Sequence, residues 1–187
     1  MTAISRISNP VSVTDSHRPH LVLVGLPGAG KSTIGRAVAE RLSRTFLDFD
    51  KEIERRQGKT IVEIFGEKGE AHFRELERGL TEELRLSGNM ILAPGGGWIT
   101  KPDVVALLRP PARLIYLRLR PETALKRLGA ERSTRPLLMR PDPLGELRRL
   151  LGERKAAYES ADHVIEVELI GAEEVIKKVV SLALAPR

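Results

Sequence analysis

Residues Gly25-Leu26-Pro27-Gly28-Ala29-Gly30-Lys31-Ser32-Thr33 follow the pattern G-x-x-x-x-G-K-[ST], whose chemistry is phosphate binding. The glycines let the backbone curl so that its N–H groups and the positive end of the next helix face phosphate oxygens. Lys31 reaches the terminal phosphates, and the Ser32 hydroxyl is placed to hold Mg²⁺. Downstream, Phe46-Leu47-Asp48-Phe49-Asp50 alternates aromatic or aliphatic residues with two carboxylates. On a strand that spacing puts both acids on one face, beside the phosphate loop. One can order a magnesium shell while the other takes a proton from an attacking hydroxyl. The plainer alternative is a solvated strand end.

Three more segments carry chemistry. Phe73-Arg74-Glu75-Leu76-Glu77 falls on a polar helix from about Lys68, where its charges can also pair at i,i+4 on a wet face. Gly95-Gly96-Gly97 exceeds what a turn needs, so it points to a ligand that must come close to the backbone. Arg127 to Pro141 is dense in Arg, Pro and Gly, reads poorly as helix or strand, and is expected to be a mobile lid charged by Arg132, Arg135 and Arg140. Arg154 follows with Tyr158 one helical turn later, a spacing that also suits a stem packed on an aromatic ring.

These groups need a scaffold, and the periodicity supplies one. His20 to Val24 is a short apolar run stopped by Gly25, which reads as a strand buried on both faces. From Lys31 to Leu42 the apolar residues Ile34, Val38 and Leu42 recur every four positions, as in an amphipathic helix. Further strands are expected at Phe46–Phe49, Met90–Ala93, Leu114–Leu117 and His163–Val167, alternating with helical stretches. Thr100-Lys101-Pro102-Asp103 resembles a capping box, and Pro121 suits a first helical turn. The alternation predicts an α/β fold: a three-layer α/β/α sandwich with a five-stranded parallel sheet, its ligands beyond the strands' carboxyl ends.

The chain has 187 residues, enough for one domain. Residues 1–19 mix polar and lone apolar residues without a period and are expected to be a flexible extension; 20–187 form the domain. The absence of cysteine excludes a disulfide framework, a thiolate metal site and a catalytic thiol. No apolar run is long enough for a membrane helix, so a cytoplasmic protein with no membrane partner is expected. The net charge is +6, and between Arg109 and Arg154 eleven Arg and one Lys face five acids. The excess therefore gathers in the stretch that holds the expected lid, and makes polyanions or phosphorylated small molecules plausible partners without choosing between them.

Taken together, the phosphate loop, Asp48-Phe49-Asp50, Phe73-Arg74-Glu75-Leu76-Glu77, Gly95-Gly96-Gly97 and Arg135-Pro136-Leu137-Leu138 resemble the shikimate kinase family in order and spacing over about residues 20–166. The resemblance implies a P-loop kinase architecture like that of the nucleoside monophosphate kinases, with a substrate-binding region near 50–78 and a lid near 127–141. It implies ATP-dependent phosphorylation of the 3-hydroxyl of shikimate, with Mg²⁺, on the way to chorismate and the aromatic amino acids. A monomer with no nucleic-acid partner is expected.

Carried over residue by residue, the resemblance makes Gly28, Ala29, Gly30, Lys31, Ser32 and Thr33 the ATP phosphate cradle. Ser32 contacts the metal, and Asp48 reaches it through water. Asp50 meets the substrate hydroxyl, and Arg74 and Arg154 hold the shikimate carboxylate, as suits a planar guanidinium. Gly95, Gly96 and Gly97 approach the substrate, and Arg135 reaches the ATP phosphates; Lys31, Asp50 and Arg135 are the catalytic set. Pro94 and Trp98 flank the glycines where the family usually has small residues, which predicts a narrower pocket. Val167-Glu168-Leu169-Ile170-Gly171 carries no basic residue to lie against adenine, as some members have. The rivals are another small P-loop kinase, acting on gluconate or a nucleoside monophosphate, and a non-catalytic ligand-sensing module. The Asp pair, Arg74 and the glycine triplet argue against the first. Some twenty irregular residues before the fold are too few for the DNA-binding domain expected with the second.

Overall fold

A computed structural model describes residues 18–139 and 141–185, and of residues 131 and 132 the backbone. The expected extension thus lies outside the described residues except for Arg18 and Pro19, as do Arg140 and the Arg132 side chain. Strands β1 (Leu21–Val24), β2 (Thr45–Asp48), β3 (Met90–Ala93), β4 (Arg113–Arg118) and β5 (His163–Glu166) form one parallel sheet in the order β2-β3-β1-β4-β5. Parallel neighbours require crossovers, and helices α1 (Lys31–Leu42), α2 (Phe49–Gln57), α3 (Ile61–Leu84), α4 (Pro102–Val105), α5 (Pro121–Leu128) and α6 (Pro143–Glu159) lie in them, while α7 (Ala172–Leu184) follows β5.

All residues of β1 and β3 are buried, as strands covered on both faces must be. Ile34 and Val38 of α1 pack into the same aliphatic core. The aromatics are few but concentrated: of seven in the chain, Phe49, Phe73, Trp98, Tyr116 and Tyr158 are buried. They pair as Phe49–Trp98, Phe65–Phe73 and Tyr116–Tyr158.

Three local expectations change. β2 ends at Asp48, because its carboxylate accepts the Lys51 N–H at 3.3 Å and caps α2, so Phe49 already starts a helix. Thr100 to Asp103 makes no capping box: Lys101 stands at the cap without a side-chain bond, and the Thr100 hydroxyl turns back to the Gly97 carbonyl at 2.7 Å. The capping box is Thr60–Glu63 at the start of α3, where each side chain accepts the other's backbone N–H. α3 therefore begins well before Lys68, and Gly69, at φ 78° and ψ 173°, breaks it into two helical halves. Pro121 opens α5 as expected.

His20 enters β1 buried, with its Nδ1 accepting the Met90 N–H at 3.3 Å and its Nε2–H donating to the Leu84 carbonyl at 3.1 Å. The bond accepted at Nδ1 requires the neutral ring. Burial lowers its pKa, the bond to the Leu84 carbonyl opposes this, and nearby Arg44 adds to the lowering. The unfolded chain then binds a proton before the folded one does. This contribution to stability is complete above the unfolded value of about 6.5 and is lost as pH falls below it toward the lower folded pKa. The urea midpoint of the wild type is expected to drop more than that of His20→Gln between about pH 7 and about pH 5; parallel drops would show that His20 does not carry this dependence.

Candidate active site

Because every strand is parallel, the chain leaves β1, β2, β3 and β4 on the same edge of the sheet, and the loops there meet. After β1, Gly25, Gly28 and Gly30 take positive φ values of 147°, 84° and 88°, which a side chain would resist. The loop curls around Lys31, whose ammonium donates to the Gly25 and Leu26 carbonyls at 2.9 and 3.1 Å. Desolvation lowers the Lys31 pKa to about 8 and Arg135 adds to this, while Asp50 and Asp48 oppose it. A phosphate arriving beside this ammonium would favour its charged form.

Ser32, in the first turn of α1, donates its hydroxyl to Asp48 Oδ2 at the end of β2. A hydroxyl and a carboxylate from different elements thus share one point next to the loop. No group of three or more His, Cys, Asp or Glu side chains able to hold a metal occurs among the described residues. One carboxylate and one hydroxyl, completed by water and phosphate oxygens, is a donor set that suits Mg²⁺.

Asp48 and Asp50 do not share a strand face, as their spacing had predicted. The cap at Asp48 puts Asp50 in the first turn of α2, and the two reach the cavity from a strand end and a helix turn. Asp50 lines the cavity with Arg74, Arg154, the glycine triplet and the apolar side chains of Ile61, Phe65, Phe73, Leu138 and Leu150. Burial raises its pKa, Arg135 and Lys31 pull it down, and Asp48 raises it again.

The glycine triplet admits the protein's own charged side chains. A Cβ on Gly97 would stand 2.6 Å from Arg74 Nη2; on Gly96, 2.9 Å from Arg154 Nη1; on Gly95, 2.7 Å from Glu77 Oε1 and 3.3 Å from Asp50 Oδ1. The Tyr158 hydroxyl donates to the Gly96 carbonyl at 2.9 Å, so Tyr158 braces the loop as well as flanking Arg154. Arg74 does form helical pairs, donating to Glu70 at 2.6 Å and to Glu77. These pairs aim its guanidinium at the cavity rather than leaving it on a wet face. Glu77 is buried, with Oε1 making no hydrogen bond. Desolvation pushes its pKa up to about 7 against the pull of Arg74. Its place was marked only by its position three residues after Arg74.

The stretch after α5 winds into two short 3₁₀ segments, Gly129–Thr134 and Pro136–Leu138. Between them Arg135 lies over the cavity, with Nη1 3.5 Å from Asp50 Oδ2 and its Nε buried without a partner among the described residues. Arg127, on α5, donates to the Val167 carbonyl at 2.8 Å. A cation therefore does sit beside the loop after β5, brought from an element too distant in sequence for that loop's composition to reveal. Trp98 does not narrow the pocket: it points away into the core and is 1% exposed.

A parallel sheet of this order, with a phosphate loop after its first strand and an acid-and-arginine cavity beside it, defines a small-molecule kinase of the P-loop class. That fold alone is shared with a gluconokinase from Sinorhizobium meliloti 1021, at 14% identity and a TM-score of 0.58 over 88% of this chain and 91% of that one. Within the class, the family model for shikimate kinase matches residues 27–183, and the chain belongs to the shikimate kinase family. It is 47% identical over 145 residues to the shikimate kinase of Thermobifida fusca (strain YX), covering 78% of this chain and 83% of that protein. A solved shikimate kinase from Acinetobacter baumannii in complex with shikimate superposes with a TM-score of 0.84 at 39% identity, over 90% of this chain and 94% of that one.

Proposed function

We propose that this chain transfers the terminal phosphoryl group of ATP to the 3-hydroxyl of shikimate. One observation carries the reading within the family. Arg74 and Arg154 converge on the glycine triplet at one side of a cavity, and Asp50 stands at the other, next to the phosphate loop. Two guanidiniums can grip a carboxylate through paired, charge-assisted hydrogen bonds. A ring bearing both a carboxylate and a hydroxyl would then present the hydroxyl to Asp50.

The chemistry follows from these positions. The loop from Gly28 to Thr33 cradles the phosphates, and Lys31 and Arg135 stabilise the charge spread over the group in transit. Asp50 orients the acceptor hydroxyl and receives its proton as the oxygen–phosphorus bond forms and the bond to ADP breaks. Mg²⁺, held by Ser32 and through water by Asp48, supplies neutralising charge to the phosphate oxygens when bound. In this reading the helices between 50 and 78 bind the acceptor, and the segment from 127 to 141 is the lid. The chain acts as a monomer in this reading.

The test is release of ADP in the presence of Mg²⁺, ATP and shikimate, with gluconate and AMP as comparison acceptors. Release is expected with shikimate alone. Release with gluconate or AMP and none with shikimate would sink the assignment.

A further inference from the structure

The core beside the triplet contains an aromatic residue with a polar requirement. Trp98 is buried, and its indole N–H donates to the Thr81 hydroxyl at 3.0 Å. Thr81 is itself wholly buried and donates to the Glu77 carbonyl one helical turn back at 2.7 Å. The Trp98 ring meets Phe49 edge-on at 6.5 Å, and Phe49 immediately precedes Asp50. Its own backbone N–H closes the turn around the glycines by donating to the Gly95 carbonyl at 3.0 Å.

One residue thus touches three parts of the acceptor site. The backbone of Trp98 holds the triplet, its ring holds the start of α2, and its N–H holds the half of α3 that carries Arg74 and Glu77. Packing alone would be served by a phenyl ring or an aliphatic side chain, neither of which needs a buried acceptor. The clearances are tight enough for this tie to matter: the Arg74 guanidinium comes within 2.6 Å of where a Gly97 Cβ would be, and Glu77 within 2.7 Å of where a Gly95 Cβ would be. A small slide of α3 against the loop would misplace both.

We propose that Trp98, through its hydrogen bond to Thr81, is a positioning residue that sets the distance between the Arg74–Glu77 pair and the glycine triplet and so determines affinity for the acceptor's carboxylate. The proposal rests on the shikimate reading above and deepens it. The Trp98–Thr81 bond itself touches none of the phosphate loop, Arg135 and the start of α2, so nucleotide affinity and the transfer step lie outside its reach.

Steady-state kinetics with shikimate and ATP varied separately test it. In Thr81→Val, which keeps the shape and deletes both the acceptor for the indole and the donor to the Glu77 carbonyl, KM for shikimate is expected to rise about five- to tenfold, the scale of a lost buried hydrogen bond. The kcat and the KM for ATP should stay within about twofold. Trp98→Phe, which keeps a ring against Phe49 and deletes the N–H, should give the same split, and Thr81→Ser should restore wild-type values. Trp98 is the only tryptophan in the chain, so its emission reports directly whether Thr81→Val has changed the indole's surroundings.

An unchanged KM for shikimate in folded Thr81→Val would overturn the proposal. So would kcat and both KM values moving together, or failure of both Thr81→Val and Trp98→Phe to fold, since each would make the contact one of general stability. Absence of shikimate turnover in the wild type would instead overturn the shikimate reading, so the two failures are distinct.

Discussion

Asp50→Asn is expected to lower kcat by a factor of about 10² to 10⁴, the range over which a positioned general base contributes, while KM for ATP stays within about threefold. The substitution keeps the side chain's size and its ability to touch a hydroxyl, and removes only the capacity to take a proton. Asp50 is suited to that task by opposed influences. Burial raises its pKa and makes it a better acceptor, while Arg135 and Lys31 favour the ionised form that can accept at all. Coupled ADP release measures the loss, and calorimetric titration with ATP checks that the nucleotide still binds. A variant that keeps more than about a third of wild-type kcat would show that Asp50 positions the hydroxyl without deprotonating it, and the mechanism would lose its base.

Arg135→Ala is expected to cost about 10³-fold in kcat, the lower end of what an arginine supplies to phosphoryl transfer. Its guanidinium lies beside Asp50 over the cavity, with Nε buried and unpaired among the described residues, which leaves a donor for phosphate oxygen. The same side chain depresses the Lys31 pKa, so the two cations repel one another until anionic phosphate comes between them. Arg135→Lys should recover little, because an ammonium offers a point charge in place of a planar fork. The measurement is single-turnover phosphorylation with saturating substrates, which separates the chemical step from binding. A loss under tenfold would mean that Arg135 closes the cavity without stabilising the transfer.

The sheet was legible because fully buried parallel strands read as apolar runs, and Met90–Ala93 and Lys31–Leu42 coincide with β3 and α1. The phosphate loop was legible because its function resides in backbone shape, which glycine spacing encodes directly. Boundaries depending on side-chain competition were not. Asp48 could continue a strand or cap a helix, and alternation alone favoured the first. The triplet was recognised as a close-approach site, but the nearest approach comes from Arg74, Glu77 and Arg154, which lie far apart in sequence. Tyr158 and Trp98 were opaque for a related reason: an aromatic residue announces burial, whereas the partner of its O–H or N–H is fixed only by tertiary packing.

The break at Gly69 has a consequence in simple lengths. A straight helix of the 24 residues in α3 would be a rod about 36 Å long, with residues eight apart separated by about 12 Å along its axis. Yet the rings of Phe65 and Phe73, eight positions apart, lie with centroids 5.1 Å from one another. The rod is kinked, and one side chain from before the bend and one from after it are neighbours in the same wall. Ile61 and Phe65 reach the cavity from the first half, Phe73 and Arg74 from the second. A single residue without a side chain thus lets one continuous stretch of chain line the cavity from two directions, with the glycine triplet, Arg135, Leu150 and Arg154 completing the wall.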